Sequence, residues 1–172
     1  VNIFKKNRFS YIYGYANVIL EFSKYLRDNK LNSLINYCST LKCCIVTAEM
    51  CSKQDRLIIE DALGIPVYNE YGTSETSIIA LEDSHYNWEI STDRLWVEIL
   101  DQQNNPLQNG KIGKIVITDL FNQAFPFIRY EIGDIGSLEE YDKFPYLLLQ
   151  ELSGRISDTI YLPSGKKSPG LS

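Results

Sequence analysis

Several residue types that often mark catalytic or metal sites are scarce in this chain of 172 residues. It contains one histidine, His85, which stands in a polar stretch and is interpreted as a surface residue rather than a general base. The sequence therefore indicates no Ser-His-Asp or Cys-His arrangement and no histidine-based metal centre. It also holds one methionine, Met50, and does not begin with methionine, so we expect a segment of a longer protein.

Excess positive charge and long apolar runs are lacking too. The 17 lysines and arginines are outnumbered by 22 aspartates and glutamates, which gives a formal net charge of -5. This balance argues against nucleic-acid binding, which needs a basic surface to neutralise phosphates. No apolar run is long enough to span a bilayer, and the N-terminus does not resemble a secretory signal. We therefore expect a cytoplasmic protein without a membrane span.

The four cysteines lie in one short stretch but form no C-x-x-C pair, which argues against a structural zinc site. We interpret them as reduced thiols that pack as small hydrophobic side chains. Disulfide or metal use is the alternative. They are Cys38, Cys43, Cys44 and Cys51.

The first half of the chain has the pattern of a βαβ unit. Apolar residues recur at helical spacing from Asn17 to Arg27, and a short β-branched run at 43–47 predicts a buried strand. Ser52 is the predicted N-cap of a second helix, and Gly64 its C-terminal stop. A further strand is expected from Ile65. Strand, helix and strand in this order predict parallel pairing with a right-handed crossover.

The second half has the pattern of an antiparallel sheet. Residues 95–100 and 114–118 alternate between apolar and polar, with turn-forming clusters between them. Further short strands are expected near 128–130, 135–138, 146–150 and 159–162. The predicted fold class is α/β, a partial parallel βαβ subdomain followed by a small antiparallel β-barrel-like subdomain. The predicted domains are residues 1–88, 89–153 and a hinge segment at 154–172.

One turn combines residue types suited to a nucleotide: Tyr71-Gly72-Thr73-Ser74-Glu75. It follows the predicted strand at 65–68, and ligands bind at the carboxyl ends of parallel strands. Gly72 allows close backbone approach, Tyr71 offers a flat face for adenine, and the hydroxyls of Thr73 and Ser74 suit phosphate oxygens. Glu75 accepts hydrogen bonds only, so beside phosphates it fits a role as a Mg²⁺ ligand.

Three other segments occur with this turn in a fixed order: Thr47-Ala48-Glu49, Arg129-Tyr130-Glu131-Ile132-Gly133-Asp134 and Gly154-Arg155-Ile156-Ser157-Asp158. The ordered series resembles the adenylate-forming (AMP-binding) ligase superfamily. It is most similar to the phenylacetate-CoA ligase branch and its CapK-like relatives of capsular polysaccharide biosynthesis. The resemblance covers about residues 11–170.

The resemblance implies a role for each segment. The residues resembling Tyr71, Gly72, Thr73 and Ser74 contact adenine and phosphate, and the one resembling Glu75 holds magnesium. Asp134 and Arg155 match the residues that hold the ribose. Ala48 and Glu49 match a turn beside the adenine and acyl pocket, and Ser157 stands at the hinge position. Implied ligands are ATP or AMP, Mg²⁺, coenzyme A and a small-molecule carboxylate.

Two family elements are not found in the sequence: the glycine-rich phosphate loop and the C-terminal lid domain with its lysine. We therefore expect a segment of an acyl-adenylate-forming, acid-thiol ligase that is inactive as an isolated chain. The rest of the parent chain is its implied partner. A non-catalytic adenine-nucleotide-binding module and an inert folded fragment are the alternatives.

Overall fold

A computed structural model describes residues 1–140, 147–150, 152, 159–161 and 167–169. The chain divides into two compact units, Val1–Tyr71 and Gly72–Ser172. No helix in the described part is long and apolar enough to cross a membrane.

The first unit is a parallel sheet with helices. Strand β1 pairs with β2 and β2 with β3, both in parallel. Its elements are α1 (Asn2–Lys6), β1 (Tyr11–Tyr15), α2 (Ala16–Asp28), a 3₁₀ turn (Leu34–Asn36), β2 (Cys43–Thr47), α3 (Lys53–Leu63) and β3 (Val67–Thr73), the last of which runs into the second unit. The predicted βαβ unit and its parallel pairing are confirmed.

Both long helices form for the reasons that the sequence indicates. Helix α2 is present and buries Ile19, Leu20 and Leu26 on one face. Of the apolar residues whose spacing predicted it, Val18 and Tyr25 are exposed. At the start of α3, the Ser52 side chain accepts a hydrogen bond from the Asp55 backbone N–H, at 3.1 Å. Gly64 ends that helix with φ +73°, the left-handed conformation that glycine adopts without a Cβ clash. Both predicted caps are confirmed.

The two faces of the parallel sheet differ. Cys44, Val46 and Val67 point to the face that packs in the apolar core with residues of α2 and α3. On the opposite face, Tyr11, Tyr13 and Tyr15 are exposed. The cysteines are free thiols: Cys38, Cys44 and Cys51 are buried, and Cys43 is half-buried.

The second unit contains an antiparallel array in the order β4-β5-β9-β8-β7-β6. Within the described residues, β4 and β6 stand at its two ends and do not pair, so the sheet is not closed into a barrel. Its strands are β4 (Ser77–Glu82), β5 (Trp88–Ile90), β6 (Leu95–Leu100), β7 (Gly113–Asp119), β8 (Tyr130–Glu140) and β9 (Leu147–Gln150); β10 (Thr159–Tyr161) and β11 (Lys167–Pro169) form a separate antiparallel pair.

The structure differs from the sequence prediction in several places. Strand β3 continues through Tyr71, Gly72 and Thr73, which were predicted to belong to a turn. Residues 11–15 form strand β1, which was not predicted. The polar stretch near 82–89 was expected to separate two domains, yet β4 and β5 form a hairpin there. Of the strand expected at 128–130 only Tyr130 is in a strand, and this strand, β8, continues through the residues expected at 135–138. The compact units meet after Tyr71, earlier than residue 88, because β4 and β5 pair within the second unit. The assignment of functional domains at 88 and 153 stays a prediction.

Candidate functional site

The turn after β2 carries the first two predicted site residues. Ala48 follows the last residue of the strand and has φ +67°, a left-handed conformation that is uncommon for a residue other than glycine. Glu49 is exposed, and its Oε2 accepts a hydrogen bond from the Asn17 backbone N–H, at 3.1 Å. Asn17 is in the first turn of α2, where an anionic side chain is favourable and the N-cap residue makes no side-chain bond. Glu49 thus anchors the turn to a helix start.

A carboxylate not singled out in the sequence lies on the same sheet. Glu70 Oε1 accepts hydrogen bonds from Tyr13 Oη at 2.8 Å and from Thr47 Oγ1 at 3.0 Å. The hydrogen bond to Glu70 raises the pKa of Tyr13 above its ordinary value, with a further contribution from burial. Recognising 11–15 as a strand would have placed these side chains on one face through the period-2 alternation.

The turn at 73–76 opens the second unit. Thr73 Oγ1 accepts the Thr76 backbone N–H at 3.1 Å, and the two hydroxyls lie 2.9 Å apart. Thr76 is fully buried, whereas Ser74 and Glu75 are exposed. Two of the five predicted turn residues therefore point outward from a turn that a buried threonine holds in place.

Glu75 also reaches strand β8. The Tyr130 hydroxyl lies 3.4 Å from Glu75 Oε1. Just before Tyr130, Arg129 has φ +49°, and its guanidinium contacts both Glu98 carboxylate oxygens at 3.1 and 3.2 Å. Its backbone N–H donates to Thr118 Oγ1 at 3.0 Å. The unusual backbone at Arg129 is thus held by several contacts, as such conformations require.

Asp134 lies further along β8, directly after Gly133, whose φ is +87°. Asp134 is buried, with 7% of the residue exposed, and a buried carboxylate requires polar partners.

The predicted site residues are divided between the two units. Ala48, Glu49 and Tyr71 fall in the first unit, and the remaining described site residues fall in the second. Arg155 and Ser157 lie outside the described residues.

A magnesium ion would find a single predicted ligand here. Among the described residues, no group of three or more His, Cys, Asp or Glu side chains could hold a metal ion. Mg²⁺ is commonly bound by one or two carboxylates together with substrate phosphates, so the exposed Glu75 fits that mode. It does not fit a metal site made by protein alone.

The loop before β8 is held by Asp119. Its carboxylate accepts the backbone N–H groups of Phe121 and Asn122 at 2.9 and 3.1 Å, and Arg94 lies 3.7 Å away. The Phe121 hydrogen bond is the main cause that lowers the pKa of Asp119.

This lowered pKa predicts an acid-dependent stability. An aspartate whose folded pKa is depressed stabilises the fold above its unfolded pKa of about 3.9 and loses that contribution as pH falls through the folded value. We expect Asp119→Asn to lower the free energy of unfolding by about 1 kcal/mol at pH 7, with the deficit shrinking below pH of about 4. Urea titrations at several pH values would measure this, with Asp28→Asn on α2 as control. A deficit independent of pH would contradict the assignment.

Comparison with solved structures shows where this fold occurs. A 2-hydroxyisobutyryl-CoA ligase, in the postadenylation state with 2-HIB-AMP, matches 98% of this chain and 37% of its own at TM-score 0.82 and 24% identity. The amide bond synthetase McbA from Marinactinospora thermotolerans matches 98% of this chain and 36% of its own at TM-score 0.69 and 14% identity. The fold is that of an adenylate-forming enzyme domain.

Sequence comparison identifies the branch. The phenylacetate-coenzyme A ligases of Pseudomonas putida and Escherichia coli K12 are 29% and 30% identical over 126 and 143 residues, which are 69% and 78% of this chain. Protein CapK of Staphylococcus aureus is 28% identical over 158 residues, or 90% of this chain. The chain spans 28%, 32% and 32% of these relatives, less than a third of each. No family model matches. These similarities support the adenylate-forming ligase superfamily, in the branch of the phenylacetate-CoA ligases and CapK.

Proposed function

We propose that this chain is the adenosine- and magnesium-binding part of an ATP-dependent, carboxylate-activating ligase of the phenylacetate-CoA ligase type. The observation that carries the proposal is the turn at 73–76, which presents Ser74 and Glu75 outward in a chain related to coenzyme A ligases. The parent reaction joins a carboxylate to AMP from ATP and releases pyrophosphate, and transfer to coenzyme A follows.

Each predicted residue has a role that its chemistry supports. Asp134 is proposed to accept hydrogen bonds from the ribose hydroxyls, assisted by Arg155. Tyr71 packs on adenine, and Ala48 and Glu49 line the adenine and acyl pocket. Glu75 would hold Mg²⁺ beside the phosphates, where the ion neutralises phosphate charge.

The charges of these residues indicate that other segments of a parent chain contribute to the site. The described residues given these roles include the carboxylates Glu49, Glu75 and Asp134, and none of them is a lysine or arginine. A triphosphate and a substrate carboxylate are both anions, so binding them requires cationic groups besides Mg²⁺. We propose that a phosphate loop and a lid domain of the parent chain supply them. A cytoplasmic location and a role in capsular polysaccharide synthesis are further parts of the proposal.

Pyrophosphate exchange tests the catalytic role. The full-length polypeptide containing this chain is expected to exchange labelled pyrophosphate into ATP only when a suitable carboxylate and Mg²⁺ are present. Aryl-acetic, hydroxy and sugar-linked acids would be compared. Nucleotide binding without exchange for any acid would favour the non-catalytic binding module. Absence of both binding and exchange would refute the proposal.

A further inference from the structure

Glu70 joins three strands through a single carboxylate oxygen. Its Oε1 accepts hydrogen bonds from Tyr13 on β1, at 2.8 Å, and from Thr47 on β2, at 3.0 Å, while Glu70 itself is on β3. Tyr13 is 54% exposed, and Thr47 and Glu70 are half-buried, so this contact lies on the face of the sheet opposite the apolar core. Both donors are neutral hydroxyls. Among the described residues, the Glu70 carboxylate forms no ion pair.

The position of these residues along their strands gives the contact its importance. Thr47 is immediately followed by Ala48 and Glu49, and Glu70 is immediately followed by Tyr71. The backbone pairing of β2 with β3 runs only as far as Val46 and Asn69. The Thr47–Glu70 hydrogen bond therefore extends the pairing by one residue, to the point where both strands lead into predicted nucleotide contacts.

Hydrogen bonds, rather than side-chain packing, hold the exposed turn after β2. Ala48, Glu49 and Met50 are all exposed, so packing contributes little to their order. The backbone at Ala48 is in the left-handed region, which persists only when surrounding contacts hold it. Those contacts include the Thr47–Glu70 hydrogen bond before the turn, the Glu49–Asn17 hydrogen bond within it, and the hydrogen bond that the Cys51 backbone N–H donates to Asn69 Oδ1, at 3.3 Å, after it.

We propose that Glu70 is a positioning residue that fixes the end of β2, and with it Ala48 and Glu49, relative to Tyr71 on β3. The functional consequence of this inference rests on the proposed function, because Glu70 joins the two strand ends that are assigned to the adenine pocket. Glu70 acts through its neighbours and touches no ligand itself.

The hydrogen bond can be tested without any nucleotide. In the 172-residue chain labelled with ¹³C at the tyrosine Cζ, Tyr13 is expected to ionise above its ordinary pKa of about 10. Glu70→Gln removes the negative charge and is expected to bring that pKa back toward the ordinary value. Tyr11→Phe is the matched control, because Tyr11 is on the same strand and face and is similarly exposed, at 60%.

The positioning role is tested by backbone amides and by AMP binding. Glu70→Ala is expected to shift the amide resonances of Ala48 and Tyr71 and to speed exchange at Ala48. It is also expected to weaken AMP binding by about tenfold, which corresponds to losing the Thr47 hydrogen bond to a charged acceptor. Glu70→Gln, whose amide oxygen still accepts, should lose less. Thr47→Val should weaken binding in the wild type but not in Glu70→Ala.

The outcomes separate this inference from the proposed function. Unshifted amides at Ala48 and Tyr71 in a folded Glu70→Ala variant would overturn the positioning role. So would AMP affinity equal to that of the wild type. If the wild-type chain binds no nucleotide, the proposed function fails for this chain, and the amide shifts alone decide whether Glu70 orders the two strand ends.

Discussion

Replacing Asp134 by alanine is expected to weaken AMP binding by about 100-fold or more, to the limit of detection by calorimetry. Two ribose hydroxyls donating to one carboxylate are each worth about 1.5–3 kcal/mol, and every 1.4 kcal/mol is a factor of ten in affinity. Asp134 is buried on β8, whereas the other acids of that strand are exposed. Titration of the purified chain with AMP in Mg²⁺ buffer measures the effect.

Glu139→Gln is the matched control for this variant. Glu139 is an exposed acid on the same strand, and its hydrogen bond with Gln150 can be replaced by that of an amide. It is expected to leave AMP affinity unchanged. Asp134→Asn separates charge from shape, and an affinity close to that of the wild type in this variant would argue against a ribose-binding carboxylate. Thermal unfolding of every variant would show that a loss of binding is not a loss of fold.

Gly72→Ala is expected to lower the free energy of unfolding by about 3 kcal/mol, the upper part of the range for overpacked sites. A Cβ at Gly72 would overlap the backbone carbonyl of Ser77 and approach the Cα of Ile78. A backbone carbonyl cannot rotate away as a flexible side chain would, so the turn that carries Ser74 and Glu75 must open. Chemical denaturation followed by circular dichroism measures the loss.

The control for this substitution is Gly110→Ala. Gly110 has φ +79°, but apart from its two chain neighbours no atom of the described residues lies within 4 Å of the position its Cβ would occupy. It should therefore show only the conformational cost of a left-handed alanine, about 1 kcal/mol. Equal losses for the two variants would mean that backbone conformation, rather than the clash with Ser77, explains the requirement for glycine at Gly72.

The parts of the fold that the sequence predicted correctly depend on local patterns. Helix α2 follows from the spacing of its apolar residues, and α3 follows from the cap at Ser52 and the stop at Gly64. These signals act within one or two turns of the chain, so they can be recognised without knowledge of what packs against them.

One of the missed strands, β1, depends on a partner that is distant in sequence. β1 places three tyrosines on an exposed face, so it lacks the apolar run of a buried parallel strand and is defined by pairing with β2. β4 and β5 bracket the polar turn 83–87, where Asp83 accepts the backbone N–H groups of His85 and Asn87. Polar composition was interpreted as a domain boundary. In the structure these residues form the tip of a hairpin, and the assignment of functional domains stays a prediction.

The sequence by itself determined the ordered motifs, and through them the superfamily, because each motif is a short run of specific residue types. It also determined the residue types of the proposed site. Only the tertiary structure decided which side chains meet: Glu70 with Tyr13 and Thr47, and Glu75 with Tyr130. These partners are separated by 57, 23 and 55 positions. Contacts over such separations follow from strand register and sheet order, which no local pattern specifies.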